Sequence, residues 1–311
     1  MRALLTGASS FSGYWFAAKL KAAGFSVVAT LRGAPDSYSG VRGERVQKLA
    51  GAAEIVADCP FGSPSFLDLI GTQGFDVLCH HAARVTDYRS LDFDVAAALA
   101  DNTRNIRLIV ERMLDKGLKA IVFTGSVFEA NEGAGNAPMK AFSPYGLSKG
   151  LTSEVIRHWC LHYNVPLAKF LIANPFGPFE EPRFCAYLIK TWRAGQVAEV
   201  RTPRYLRDNI HVDLLALAYA RFVRRTVETG QPGRFGPMGY AETQGAFTER
   251  YARAMGPRLG LECQVKLLEQ TDFSEPLARI NTDVIDGTDY GWSEPAAWDA
   301  IAEYYRHRSF G

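Results

Sequence analysis

The stretch Ala3-Leu4-Leu5-Thr6-Gly7-Ala8-Ser9-Ser10-Phe11-Ser12-Gly13 decides the fold. The run Ala3–Thr6 reads as a buried strand, and from Gly13 to Ala23 apolar residues recur at the three- and four-residue spacing of a helix. A strand that passes through a glycine-bearing turn into a helix gathers backbone N–H groups and a helix N-terminus beyond the strand's carboxyl end. Such a place suits a pyrophosphate. Gly7 would allow the tight turn and Gly13 a close helix–sheet contact, whereas Ser10 replaces the middle glycine of a GxxGxxG loop. With Ser9, Phe11 and Ser12 these residues form the candidate phosphate loop.

Working outward, short β-rich runs alternate with longer helical stretches, the pattern of a parallel sheet with crossover helices. Further strands are expected at Ser26–Leu31, Glu54–Ala57, Asp76–His80, Ala120–Thr124 and Pro166–Ile172. Helices are expected near Arg42–Leu49, Phe66–Ile70, Phe93–Lys116 and Tyr145–Tyr163. Right-handed crossovers turn this order into an α/β fold, a Rossmann-type doubly wound parallel sheet. Past Asn174 the turn-rich run Pro175-Phe176-Gly177-Pro178-Phe179-Glu180-Glu181-Pro182 changes the organisation. Residues 1–174 are therefore expected to be a dinucleotide-binding domain, with a return segment near 207–224, and residues 175–311 a smaller, mainly substrate-binding C-terminal domain.

Composition narrows the partners. The chain has 311 residues, and 35 Lys+Arg against 33 Asp+Glu leave a net charge of +2, with no long basic block. That balance supplies no electrostatic reason to expect nucleic acid or an acidic membrane surface. Five cysteines form no CxxC and read as reduced thiols, and no apolar run approaches a membrane span or a signal-peptide core. Cytoplasm is the expected compartment. His80 and His81 are adjacent in or after a strand, so their side chains diverge and no metal site is assigned.

The second strand ends in Ala29-Thr30-Leu31-Arg32-Gly33, with no carboxylate for a ribose hydroxyl. The Arg32 guanidinium suits the 2′-phosphate of NADP, which is favoured over NAD. Asp58, after the third strand, is a candidate acceptor for the adenine amino group. In Ser143-Pro144-Tyr145-Gly146-Leu147-Ser148-Lys149, a Tyr and a Lys four residues apart share one helix face. A nearby ammonium, together with an oxidised nicotinamide, is expected to lower the tyrosine pKa towards neutrality and make Tyr145 a general acid.

Here the chain resembles the extended short-chain dehydrogenase/reductases that act on nucleotide sugars. The resemblance runs through the glycine loop, His81-Ala82-Ala83, a hydroxyl before Val127-Phe128, and Tyr145-x-x-x-Lys149. It continues in Asn174-Pro175-Phe176-Gly177-Pro178 and Arg207-Asp208-Asn209-Ile210-His211-Val212-Asp213. It implies that Thr124 polarises the substrate carbonyl, with Ser126 in reserve at the substrate. Lys149 would hold the nicotinamide ribose, Tyr145 would donate the proton, and His81, Ala82, Ala83 and Ala173 would line the cofactor. Asn174 and Arg207 would hold the nucleotide diphosphate, and Arg279 is a weaker phosphate candidate. The competing role for Arg207 is an ion pair with Asp208 or Asp213. By the same resemblance, the Phe93–Lys116 and Tyr145–Tyr163 helices would pair across a two-fold axis in a homodimer.

Two departures from the relatives narrow the reaction. Family 4,6-dehydratases place Asp-Glu after the threonine, whereas Thr124 is followed by Gly125-Ser126. Family epimerases commonly carry an acid where Arg32 stands. The leading expectation is an NADPH-dependent reductase of a nucleotide-linked keto sugar, specifically a 4-keto-6-deoxyhexose. The alternatives are a nucleotide-sugar 4-epimerase with retained NAD(P), and a non-catalytic NADP-sensing protein, which the intact Thr/Tyr/Lys set disfavours.

Overall fold

A computed structural model describes residues 1–308. Its first part runs β1 (Arg2–Thr6), α1 (Phe11–Ala22), β2 (Ser26–Thr30), α2 (Gly40–Leu49), β3 (Glu54–Val56), α3 (Pro64–Thr72) and β4 (Val77–His80). Then come α4 (Val95–Asn102), α5 (Ile106–Asp115), β5 (Ala120–Ser126), β6 (Ala134–Gly135), α6 (Pro144–His162) and β7 (Leu167–Ile172). The rest is β8 (Asn174–Phe176), α7 (Phe184–Arg193), β9 (Ala198–Val200), β10 (Leu206–His211), α8 (Val212–Thr229), β11 (Gly233–Phe235), β12 (Pro237–Met238) and β13 (Tyr240–Thr243). It ends with α9 (Gln244–Leu259), β14 (Val265–Leu267), β15 (Ala278–Ile280), β16 (Asp283–Val284) and α10 (Glu294–Arg306).

The main sheet has seven strands in the order β11-β7-β5-β4-β1-β2-β3, all parallel. Its strands are apolar on both faces because helices cover both. Leu5, Val27, Val77 and Val122 point into a core with Phe16 and Leu20 of α1, Leu49 of α2 and Tyr219 of α8. Leu4, Val28, Leu78 and Ile121 point the other way, onto Phe66 of α3, Ile109 of α5 and Ile156 of α6. The return segment thus packs on the first helix, with the Tyr219 and Phe16 rings stacked at 3.8 Å. Strand order reverses between β1 and β4, so a crevice opens beyond their carboxyl ends.

After β7 the chain leaves this sheet at Ala173, and β8 pairs with β10 of a second sheet ordered β13-β10-β15-β6. Phe176, Trp192, Phe247, Tyr251 and Trp298 form a separate core beneath it. Trp192 is buried within it. Among the described residues no helix is long and apolar enough to cross a membrane.

The expected helix Phe93–Lys116 is two helices. Asn105 adopts φ of 56° at the N-cap of α5 and donates its side-chain amide to the Gly62 carbonyl at 2.8 Å. Asn tolerates this left-handed backbone, which ends one helix and starts another while apolar spacing continues on both sides.

Candidate active site

The glycine loop is built as a cradle at the sheet's reversal point. Gly7 has φ of +76°, and a Cβ there would lie 2.7 Å from the Ala82 nitrogen after β4. A Cβ on Gly13 would lie 2.2 Å from the Gly7 carbonyl oxygen, so α1 packs too closely for any side chain. Ser10 occupies the middle position with ordinary φ of −74° and caps α1, its Oγ accepting the Gly13 N–H at 3.2 Å. That explains why glycine is dispensable there. The His81 Nε2 lies 3.0 Å from the Ser10 Oγ and 3.1 Å from the Ser12 Oγ, and Thr6 Oγ1 accepts the His81 and Ala82 N–H groups. Burial drives the His81 pKa down to about 3, with Lys149 and His80 adding to the fall, so the ring that buttresses the loop is neutral.

A cleft of ≈ 1440 Å³ begins at this loop and runs to the second sheet. It exceeds the roughly 300–1,000 Å³ of a pocket for one small ligand, as a dinucleotide and a second ligand together require. Every site residue expected from the sequence lines it except Gly13, Asp58 and Arg279. Gly13 acts from behind the loop. Asp58, with φ of 50°, is exposed at the rim beside Cys59, Pro60 and Phe61 of the cleft wall, its Oδ1 4.0 Å from where a Cβ on Gly33 would lie.

Arg32 is exposed at the end of β2 and makes no ion pair among the described residues. Sequence reasoning missed Arg42, which also lines the cleft and donates to the Ser9 Oγ at 2.8 Å from its Nη2, its guanidinium over the Tyr38 ring. Arg45, three residues on and fully buried, donates to the Ser9 carbonyl at 3.1 Å and to the Phe179 carbonyl at 2.8 Å. It ties the phosphate loop to the segment after β8.

At the reacting end, Ser143 caps α6 and Pro144 opens its first turn, so Tyr145 and Lys149 lie on its first turns. A Cβ on Gly146 would meet the Phe128 carbonyl oxygen at 2.1 Å, which is how the helix start presses against the end of β5. Thr124 is buried at the end of β5, its hydroxyl beside that of Tyr219 on α8. Ser126 accepts the Phe128 N–H at 3.1 Å. The Lys149 ammonium lies 4.3 Å over the Phe123 ring, and burial lowers its pKa to about 8, with Glu129 opposing and Lys169 assisting the fall.

Tyr145 meets Tyr88 and Phe93 edge-on, with centroids 5.7 and 5.9 Å away. Its pKa is pushed up by burial and by the charges of Glu129 and Tyr88, with Arg183 opposing. This corrects the expected acidification by Lys149. The buried site by itself holds a phenol, and only an added positive charge would favour phenolate. Of the loop Arg84–Arg89, Val85, Thr86, Tyr88 and Arg89 line the cleft while Arg84 pairs with Asp101 at 3.4 Å.

On the far wall Asn174 donates its side-chain amide to the Asp208 carbonyl at 3.2 Å, beside Ala173. Arg207 is buried, lies over the Tyr205 ring at 4.4 Å and pairs with Glu275 at 2.8 Å. Neither competing partner forms. Asp208 accepts the Gly239 and Asn281 N–H groups, and Asp213 pairs with Lys19 at 2.6 Å. Arg279 is corrected: it is fully buried outside the cleft, and its guanidinium donates to the carbonyls of Val127, Glu129, Glu132 and Lys140. It staples β15 to the loop after β5, its Nη groups taken up by carbonyls away from the cleft.

A doubly wound sheet with a glycine cradle at its reversal point, and a Tyr-x-x-x-Lys helix across the same cleft, define a dinucleotide-dependent enzyme of the extended short-chain dehydrogenase/reductase class. The chain belongs to the NAD dependent epimerase/dehydratase family, whose model matches residues 3–235. Solved structures share its fold over nearly the whole length. UDP-glucuronic acid 4-epimerase from Bacillus cereus, with UDP-glucuronic acid and NAD, has a TM-score of 0.73 at 16% identity, covering 98% of both chains. UDP-glucose 4-epimerase from Stenotrophomonas maltophila, with NAD and formylated UDP-arabinopyranose, has 0.74 at 17%, covering 98% of this chain and 97% of its own. dTDP-glucose 4,6-dehydratase from Streptomyces venezuelae, with NAD bound, has 0.70 at 17% over the same shares.

Proposed function

We propose that the protein is an NADPH-dependent reductase of a nucleotide-linked keto sugar, specifically a 4-keto-6-deoxyhexose. The observation that carries this reading is the end of β2, where Arg32 stands exposed with no ionic partner among the described residues, with Arg42 on the same cleft. Two guanidiniums suit a phosphate dianion, which NADP has on its adenosine ribose and NAD lacks. The glycine cradle fits the dinucleotide, since a Cβ on Gly7 or Gly13 would close it.

Bound NADPH supplies the hydride that reaches the carbonyl carbon. Thr124 offers its hydroxyl to the carbonyl oxygen, and Tyr145 gives that oxygen its proton. A site that favours phenol over phenolate suits this direction. Lys149 holds the nicotinamide ribose, Ala173 lies beside the nicotinamide, and Asn174 and Arg207 hold the diphosphate. Arg207 must exchange Glu275 for it. A nucleotide-sugar 4-epimerase with retained NAD(P) is the second reading, supported by family membership and by the epimerase folds above.

A thermal-shift panel of NADP, NAD, UDP, GDP, CDP and dTDP tests the ligand classes, because each true ligand stabilises the fold by mass action. NADP is expected to raise the melting temperature more than NAD. Arg32→Ala should weaken NADP by roughly tenfold or more, the loss of a charge-assisted contact, and leave NAD unchanged. Equal weakening of both cofactors would remove the 2′-phosphate role. A homodimer through α5 and α6 is also proposed. Leu147, Leu151 and Leu161 are exposed on α6, and sedimentation of a monomer at micromolar concentration would refute it.

A further inference from the structure

Behind the reacting end of the cleft lies a buried carboxylate that none of the roles above uses. Glu129 is 1% exposed. One of its oxygens accepts the Ser126 N–H at 2.7 Å and the other accepts the Lys169 ammonium at 2.6 Å. Lys169 sits on β7 opposite Phe123 of β5 and is held as well by Glu132 at 2.7 Å. The space around the carboxylate is tailored. A Cβ on Gly125 would lie 2.8 Å from Glu129 Oε1, and one on Gly150, the neighbour of Lys149, 3.8 Å from Oε2. A charge in such a place is costly unless both oxygens are satisfied, as they are here.

We propose that Glu129 is a positioning residue: it fixes the Gly125-Ser126 backbone that follows Thr124 and, with Lys169, supplies the charge facing Tyr145 and Lys149 from behind. This rests on the reading that Tyr145 donates the proton. Tyr145 is faced by Glu129, Tyr88 and Arg183. Lys149 is faced by Glu129 and Lys169, and in turn depresses His80 and His81. Glu129 is the one group acting on both Tyr145 and Lys149, and a carboxylate makes the phenol and the ammonium each hold its proton to higher pH.

Glu129→Gln keeps an oxygen for the Ser126 N–H; Lys169 loses this acceptor but retains Glu132, so the backbone anchor stays while the charge goes. The readout is the titration of Lys149 in the full-length protein without substrate, followed by NMR of 13C-methylated lysines and assigned with Lys149→Arg. Lys149 should titrate near 8 in the parent and about one pH unit lower in Glu129→Gln. Loosening of the site would move it the other way, towards the ordinary lysine value. An unchanged or raised value in folded Glu129→Gln would overturn the proposal. Should that variant not fold, Lys169→Met carries the test: removing the opposing cation should raise the Lys149 value, and an unmoved or lowered one would overturn it. Failure of the proton-donor reading shows separately, as parental turnover in Tyr145→Phe, because the titration needs no turnover.

Discussion

Tyr145→Phe is expected to bind NADP as the parent does and to lose about 10²–10⁴ in turnover, the range of a positioned general acid. The ring would stay. Its edge contacts with Tyr88 and Phe93, and the start of α6 against Phe128, do not involve the hydroxyl, and no protein group hydrogen-bonds to that hydroxyl among the described residues. The variant therefore removes the transferable proton with little change in packing. Thermal denaturation with and without NADP checks the first half of the expectation, and single-turnover reduction checks the second. The pH profile carries further information. Burial lowers Lys149 to about 8, so its ammonium is present below that pH and lost above it. Turnover should fall on the alkaline side as the group holding the ribose loses charge, while Tyr145, pushed up by burial, is still protonated there.

Gly13→Ala should be the most disruptive single methyl in the phosphate loop. Its Cβ would meet the Gly7 carbonyl oxygen at 2.2 Å, the Ser10 Oγ at 2.8 Å and the Ala8 Cα at 3.0 Å. Two of these are backbone atoms, so the strain cannot be relieved by rotating a side chain. Overpacking of this kind costs about 1–3 kcal/mol, and here it falls on the turn that aims N–H groups at the pyrophosphate. Denaturant unfolding should report a loss of about 3 kcal/mol, and the affinity for NADP should drop by roughly tenfold or more. The backbone at Gly13 is helical, so relief of the clash, not of dihedral strain, is the issue. Parental stability together with parental affinity would mean that α1 does not pack as described.

What the sequence made legible is local. Ala3–Gly13 could be read because a buried strand, a positive-φ turn and a capped helix follow one another within a dozen residues, and each has its own residue signature. Tyr145 and Lys149 could be read because four-residue spacing alone puts them on one helix face. Asn105 escaped notice because apolar periodicity continues through the break and only its backbone conformation interrupts the helix. Arg42 and Glu129 depend on partners 33 and 3 residues away, at Ser9 and Ser126, and their contacts are set by where helices and strands dock. Arg279 misled in the opposite sense: a lone guanidinium in a turn-rich segment looks free, but strand pairing with β6 and β10 buries it among carbonyls. The direction of the Tyr145 shift was equally invisible, since desolvation depends on tertiary burial and, with Glu129 and Tyr88, outweighs the opposing Arg183.

Net hydride transfer is the most direct test of the account. The protein should be mixed with NADPH deuterated at nicotinamide C4 and a nucleotide-linked 4-keto-6-deoxyhexose, and the product examined by mass spectrometry. The expected result is one deuterium on the former carbonyl carbon for each NADPH oxidised, with Tyr145→Phe slowing the transfer. A converted nucleotide sugar that carries no deuterium, with the NADPH unconsumed, would contradict it and leave the epimerase reading in its place.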